Sequence, residues 1–138
     1  NGTSYKYKLV PFNNDGFYGE ESEISFTTVM PKYEIAESIL YKDGVKTEAL
    51  SGSGKYSIAL PIKNNLYEDG LKCVQLAAVY KNNTLEKLYS SEMTIPQNGK
   101  ENVVTEFEIP EGEGYCVQIF VIDSRNEWNT LCPMVNYN

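Results

Sequence analysis

The eleven residues from Gly114 to Ser124, GYCVQIFVIDS, constrain this chain more than any other stretch. Read with period two, they put Tyr115, Val117, Ile119 and Val121 on one face. Cys116, Phe120 and Ile122 lie on the other, where only Gln118 is polar. A strand apolar on both faces belongs in the middle of a sheet rather than at a solvated edge. Leu71 to Lys81 has the same character: Val74, Leu76, Ala78 and Tyr80 share one face, and Leu71, Cys73, Ala77 and Val79 the other. Two such strands among others that alternate describe the interior of a β-sandwich.

The rest of the chain keeps a strand rhythm, with turn signals about every ten residues. Ile35 to Tyr41 reads as a strand that runs into the hairpin signal Lys42-Asp43-Gly44, and Val45 to Leu50 answers it. After the break at Ser51 to Gly54, Tyr56, Ile58, Leu60 and Ile62 share one face of a half-buried strand. Asn82 and Asn83 suit a two-residue hairpin because both tolerate positive φ. The strand Leu85 to Met93 then returns with Leu85 and Leu88 out of alternation, the mark of a bulge. Val103, Thr105, Phe107 and Ile109 face inward while Glu106 and Glu108 face water, and Leu131 to Tyr137 closes the sheet. No amphipathic helix and no internal repeat is visible. At 138 residues the chain holds one well-buried domain and part of another, and no apolar run approaches the roughly 20 residues that span a membrane.

Tyr5, Tyr7, Leu9 and Pro11 form one face of an amino-terminal strand, Asn13 to Gly16 a turn, and Glu23 to Thr28 a second strand with Ile24 and Phe26 on one face. Thr3, Tyr5, Tyr7 and Leu9, then Asn13, Gly16, Ser22 and the closing Thr27 and Thr28, resemble the last two strands of a fibronectin type III domain. The resemblance puts Tyr5 at the family's tyrosine corner, whose hydroxyl bonds to backbone a few residues upstream, and Gly16 in its loop. It also implies that the family's first five strands are missing and that a parent protein continues upstream. Pro31 then falls in a short joint, with residues 1–31 on one side and 32–138 on the other.

A second resemblance follows from Ala78 to Tyr80, Leu85, the Pro-Glu-Gly at Pro110, the run Tyr115 to Ser124, and Pro133-Met134. These are similar to an Ig-like module found at the carboxy-terminal end of secreted, multi-modular proteins of Firmicutes, with Tyr80 and Phe120 as structural residues and Ile122 where that family has Trp. The expected fold is therefore all-β: an Ig-like antiparallel β-sandwich preceded by a fibronectin type III hairpin. The implied role is a non-catalytic accessory or spacer module, secreted or at the cell surface, that mediates domain packing or adhesion.

Charge and composition limit the alternatives. Nineteen acidic against twelve basic residues, with the basic ones scattered, argue against nucleic acid and anionic membranes as partners. The absence of His removes the commonest base for a serine or cysteine nucleophile and the commonest zinc ligand outside thiolates. Gly52 to Lys55 lacks the earlier Gly and following Ser or Thr of a phosphate loop and reads as a turn. Glu106, Glu108, Glu111 and Glu113 read as solvated carboxylates rather than a glycosidase pair. The clusters Asn13 to Asp15 and Glu68 to Asp69 lack the spacing of a calcium loop and read as turn chemistry, so no cofactor or metal is expected. The sequons at Asn1 and Asn82 matter only in a eukaryotic secretory pathway. Cys73, Cys116 and Cys132 are either small buried hydrophobes or supply one disulfide from an open choice of pairs.

Eleven Tyr, five Phe and one Trp leave one binding alternative: a carbohydrate-binding site at Trp128 with Arg125, Asn126 and Glu127, where a ring would stack on a sugar and the polar groups would bond its hydroxyls. Finally, a lone hairpin with an apolar face made of Tyr5, Tyr7, Leu9, Ile24 and Phe26 is marginal in water. It is expected to dock on the sandwich, to be completed by strands of the parent polypeptide or another chain, or to pair with its own copy.

Overall fold

The computed structural model describes residues 3–123 and 129–138. The protein is all-β and antiparallel throughout, and it divides into two compact units, Asn1–Pro31 and Lys32–Asn138.

The first unit is a hairpin of β1 (Ser4–Leu9) and β2 (Ser22–Thr27). Its register sets Tyr5 opposite Phe26 and Tyr7 opposite Ile24. Phe26 stacks on both tyrosines, with ring centroids 5.4 and 5.6 Å apart. Strand β1 ends at Leu9, short of Pro11, which has no N–H to offer a ladder. The Pro11 carbonyl accepts from Gly19 N at 2.8 Å, so Pro11 belongs to the connection and not to the strand face expected from alternation. In the turn, Asn13 Oδ1 accepts from the N–H groups of Asp15 and Phe17, both at 3.0 Å, and Gly16 takes φ +82°. That bonding accounts for the Asn-rich cluster as an Asx turn.

The second unit is a sandwich of two sheets. One contains β3 (Tyr33–Ile35), β4 (Ile39–Lys42), β5 (Val45–Thr47), β6 (Gly54–Asn64) and β9 (Lys100–Ile109). The other has the order β11 (Val135–Tyr137), β10 (Tyr115–Ile122), β7 (Leu71–Lys81), β8 (Thr84–Ile95). Strands β7 and β10 are adjacent in the centre, as their two apolar faces require. Both predicted tight turns form, with positive φ at Asp43 and Gly44 and at Asn82 and Asn83.

The expected strand Ile35 to Tyr41 is broken in two. Strands β3 and β4 lie along one edge of β6, opposite β9, but Ile35 pairs with Ile62 while Ile39 pairs with Ala59. Three residues, 36–38, therefore face two. The break sits opposite Pro61, whose carbonyl accepts from Ala36 N at 3.0 Å but whose nitrogen has no proton to return. A proline inside a sheet needs such an irregularity on its open side.

The core lies between the sheets in two halves. Tyr56, Ile58, Phe107 and Ile109 meet Ala77, Val79, Val117 and Ile119 in one. Leu60, Ile62 and Val103 meet Leu71, Cys73, Ile95 and Val121 in the other. Between the halves stands a buried polar pair, in which Thr105 Oγ1 donates to Gln75 Oε1 at 3.0 Å. Gln75 Nε2 has no partner in the interior. A second buried amide, Asn64, is satisfied. It donates to the carbonyls of Tyr67 and Ile95 and accepts from Tyr67 N, tying the connection before β7 to the end of β8.

Of the stretch Gly52 to Lys55, expected to be a turn, Gly52 and Ser53 bend the chain while Gly54 and Lys55 already open β6; the bend is held from within, where Tyr56 Oη donates to Gly52 O at 2.8 Å and accepts from Ser51 N at 2.9 Å. All three cysteines are free. Cys73 is core, and burial pushes its thiol up from 9.0 to about 11. Burial also raises the Cys132 thiol. Cys116, grouped with Cys73 as a buried hydrophobe on sequence grounds, instead points outward from β10 and is partly exposed.

Candidate interaction surface

The register of the four-stranded sheet fixes which side chains point away from the core. On β7 these are Lys72, Val74, Leu76, Ala78 and Tyr80, the residues that alternate with the core members Cys73, Ala77 and Val79. Strand β10 adds Cys116, Gln118, Phe120 and Ile122, each directly beside a β7 partner. Strand β8 adds Leu85, Leu88, Ser90, Glu92 and Thr94, and β11 adds Asn136.

The bulge makes the β8 contribution possible. Tyr80 pairs with Leu85 but Val79 with Lys87, so Glu86 is an extra residue. Without it Leu85 and Leu88, three apart, would point to opposite faces. With it both stand outward beside Tyr80 and Ala78, 51% and 52% exposed. Tyr80 and Phe120, the two structural residues of the Ig-like resemblance, therefore belong to this outer face and not to the interior. Of its fifteen positions only Lys72 and Glu92 are charged.

The opposite outer face is built differently. Lys55, Lys63, Glu106, Glu108 and Lys100 project from β6 and β9, with Glu34 and Lys46 beside them. Glu34 accepts from Asn65 Nδ2 at 2.9 Å and lies 3.5 Å from Lys63 Nζ. The amide bond first, and the ammonium second, hold its carboxyl below the usual value. Glu106 and Glu108 stand on this solvated face beside Ser57 and Lys55.

Between β8 and β9 a cleft of about 540 Å³ opens on the flank of the sandwich. Its floor is an aromatic ladder, Tyr56 on Phe107 at 5.6 Å and Phe107 on Tyr89 at 6.3 Å. Lys42 and Lys87 stand over the terminal rings at 5.6 and 4.7 Å. Tyr56 and Phe107 are buried, and the Tyr89 hydroxyl accepts from Glu108 N at 3.3 Å, so the ladder closes the end of the core.

The remaining sequence expectations fall as follows. Trp128, Arg125, Asn126 and Glu127 lie outside the described residues. Beside them, Asp123 N donates to Asn129 O at 2.9 Å and Leu131 N to Val121 O at 2.8 Å. Tyr5 uses its ring against Phe26, and its hydroxyl makes no hydrogen bond among the described residues, so a tyrosine-corner bond is not formed within them. Gly16 serves the turn. Tyr7 and Phe26 are 53% and 49% exposed. Among the described residues no cluster of three or more His, Cys, Asp or Glu is placed to hold a metal ion, and no helix is long and apolar enough to cross a membrane.

The outer apolar face is what sequence reasoning missed. Its signal was present in the second apolar face of Leu71 to Lys81 and Tyr115 to Ile122, read as a sign of central position alone. Comparison with protein-family models, curated proteins and solved structures finds no match to the chain.

Proposed function

We propose that this chain is a non-catalytic accessory module of a multi-modular secreted or cell-surface protein, and that it works by packing against other protein surfaces. The observation that carries the reading is the outer face of β8, β7 and β10, where Leu85 and Leu88 are half exposed, Leu76, Tyr80 and Phe120 are partly exposed, and little charge stands around them. Exposed apolar patches of this kind mark protein contacts more often than they mark chemistry. The half-exposed rings of the Ser4–Thr27 hairpin support it, because a two-stranded hairpin gains stability only when its apolar face is covered. Strands of the parent polypeptide, or of another chain, are the cover this reading assigns, in keeping with the fibronectin type III resemblance. The carboxylates on β9 are solvated, and no His supplies a general base.

The test is a reducing-sugar assay and affinity electrophoresis on the intact chain over a panel of polysaccharides. Neither hydrolysis nor retention is expected. Hydrolysis lost on a single carboxylate substitution would overturn the reading. Retention lost in Trp128→Ala, with the fold intact, would assign the chain to carbohydrate binding instead.

A further inference from the structure

We infer that Asn98 is a site of spontaneous covalent modification, where the side-chain amide is lost through a cyclic imide, and that the fold sets both the rate of the reaction and its consequence. The inference is independent of the packing role proposed above.

The site follows from the turn that joins β8 to β9. Gly99 N donates to Pro96 O at 2.8 Å, which closes a four-residue turn with Gln97 and Asn98 at its centre. Asn98 takes φ +60°, a left-handed position that favours Gly or Asn. A Cβ on Gly99 would lie 2.8 Å from Pro96 O and 2.9 Å from Pro96 Cγ, so glycine is the residue that fits. The two demands together yield an Asn-Gly pair, with the Asn98 side chain exposed. Of the two such pairs in the sequence, it is the one among the described residues.

The same pair suits ring closure. No side chain on residue 99 obstructs the Gly99 nitrogen, which attacks Asn98 Cγ once solvent base has removed its proton. The N–Cγ bond forms, the Cγ–Nδ2 bond breaks, and ammonia leaves. Water then opens the imide on one of two sides. Cleavage of the N–Cγ bond gives an aspartyl residue at 98 on an unchanged main chain. Cleavage of the bond between that nitrogen and the main-chain carbonyl carbon gives an isoaspartyl link, in which the main chain runs through Cβ and Cγ. Water is the only co-reactant.

The folded chain holds this reaction back. The imide nitrogen carries no hydrogen, so ring closure removes the bond from Gly99 to Pro96. Asn64, wholly buried, also clamps both ends of the turn: its Nδ2 donates to Ile95 O at 3.0 Å, and its main-chain N donates to Gly99 O at 3.0 Å. The turn must therefore open locally before the ring can form. The clamp also separates the two products. An aspartyl residue tolerates the left-handed conformation and keeps both contacts. The isoaspartyl link puts one more atom into the main chain between the two carbonyls that Asn64 holds, so the clamp is lost and the corner between β8 and β9 loosens.

The test incubates the intact chain at mildly alkaline pH, folded in buffer and unfolded in guanidinium chloride. Mass spectrometry then follows the tryptic peptide Leu88 to Lys100, in which Asn98 is the only Asn. Conversion of Asn98 is expected in both samples, and about 10-fold or more slowly in the folded one. Asn64→Ala should bring the native rate towards the unfolded one. Amide hydrogen exchange on the wild type reads the same clamp without a variant, and Gly99 N–H should be protected. Asn98→Asp should keep the wild-type unfolding midpoint, while the separated isoaspartyl form should unfold at lower denaturant. An Asn98 that survives in the unfolded chain, equal rates in the two samples, a Gly99 N–H that exchanges without protection, or an isoaspartyl form as stable as wild type would each overturn the inference. None of these results bears on the assays for hydrolysis and sugar retention.

Discussion

The two outer faces of the sandwich share a backbone plan and differ in what the side chains ask of their surroundings. On β6 and β9 the outward positions are mostly polar, with Ala59, Pro61 and Val104 the apolar ones, and seven charged residues cover that face with its neighbours β3 and β5. On β7 and β10 the outward positions are nearly as apolar as the inward ones, and two charges serve a whole sheet. A sandwich strand needs only one apolar face to build the core. The chain itself buries part of the second apolar face, at Val74, Ala78 and Ile122, while Leu85 and Leu88 stay half exposed, so these two leucines are the part of the face that asks for cover from outside.

The comparison can be broken most severely at two positions of opposite direction in the same sheet. Ile119→Ala on the inner face should cost about 3 kcal/mol in urea denaturation, while Leu88→Ala on the outer face should cost under about 1 kcal/mol at concentrations where the chain is monomeric. Equal losses would mean that the outer face is part of the folding core. Within the core, Thr105→Val strands both polar ends of Gln75 and should destabilise by about 1–3 kcal/mol. Adding Gln75→Leu should recover that loss and, by removing an unpaired buried donor, gain up to about 1 kcal/mol over wild type. A double variant no better than the single one would indicate that Nε2 is bonded in solution.

A smaller effect distinguishes the thiols. Because burial holds Cys73 at about 11 against 9.0 in the unfolded chain, the unfolded state loses its proton first as pH rises. Stability therefore falls between about pH 9 and 11, and Cys73→Ala should flatten that slope in a pH series of unfolding midpoints. A thiol-reactive dye should modify the outward Cys116 in the native protein and reach Cys73 only on unfolding. The smallest shift belongs to Glu34. Its lowered carboxyl contributes stability above the unfolded value and loses it as pH falls through the folded one, an increment that Asn65→Ala should reduce while Lys63 keeps the rest.

Much of the fold was legible because period-two alternation and turn chemistry are local. Val103, Thr105, Phe107 and Ile109 announced an inward face, Asp43-Gly44 and Asn82-Asn83 their hairpins, and the misplaced Leu85 and Leu88 a bulge. The split of residues 33–42 was not legible from those residues, since its cause is Pro61 on a different strand. Gln75 was equally opaque, because its partner Thr105 lies thirty residues away. The outer face was visible but ambiguous: one pattern of apolar residues serves both a strand buried by its own chain and a strand that meets a partner. Only the register, which leaves no layer of described strands over Leu76, Leu88 and Phe120, separates the two.

Leu88 and Val104 provide the most direct measurement, since they are apolar residues on opposite outer faces with similar exposure in the single chain, 52% and 43%. Relaxation of their methyl resonances by a soluble paramagnetic chelate, measured in the chain alone and joined to the neighbouring modules of its parent polypeptide, reports how open each face is. The account predicts that Leu88 becomes shielded on joining while Val104 stays accessible, and Leu88 methyls as accessible as those of Val104 in both forms would contradict it.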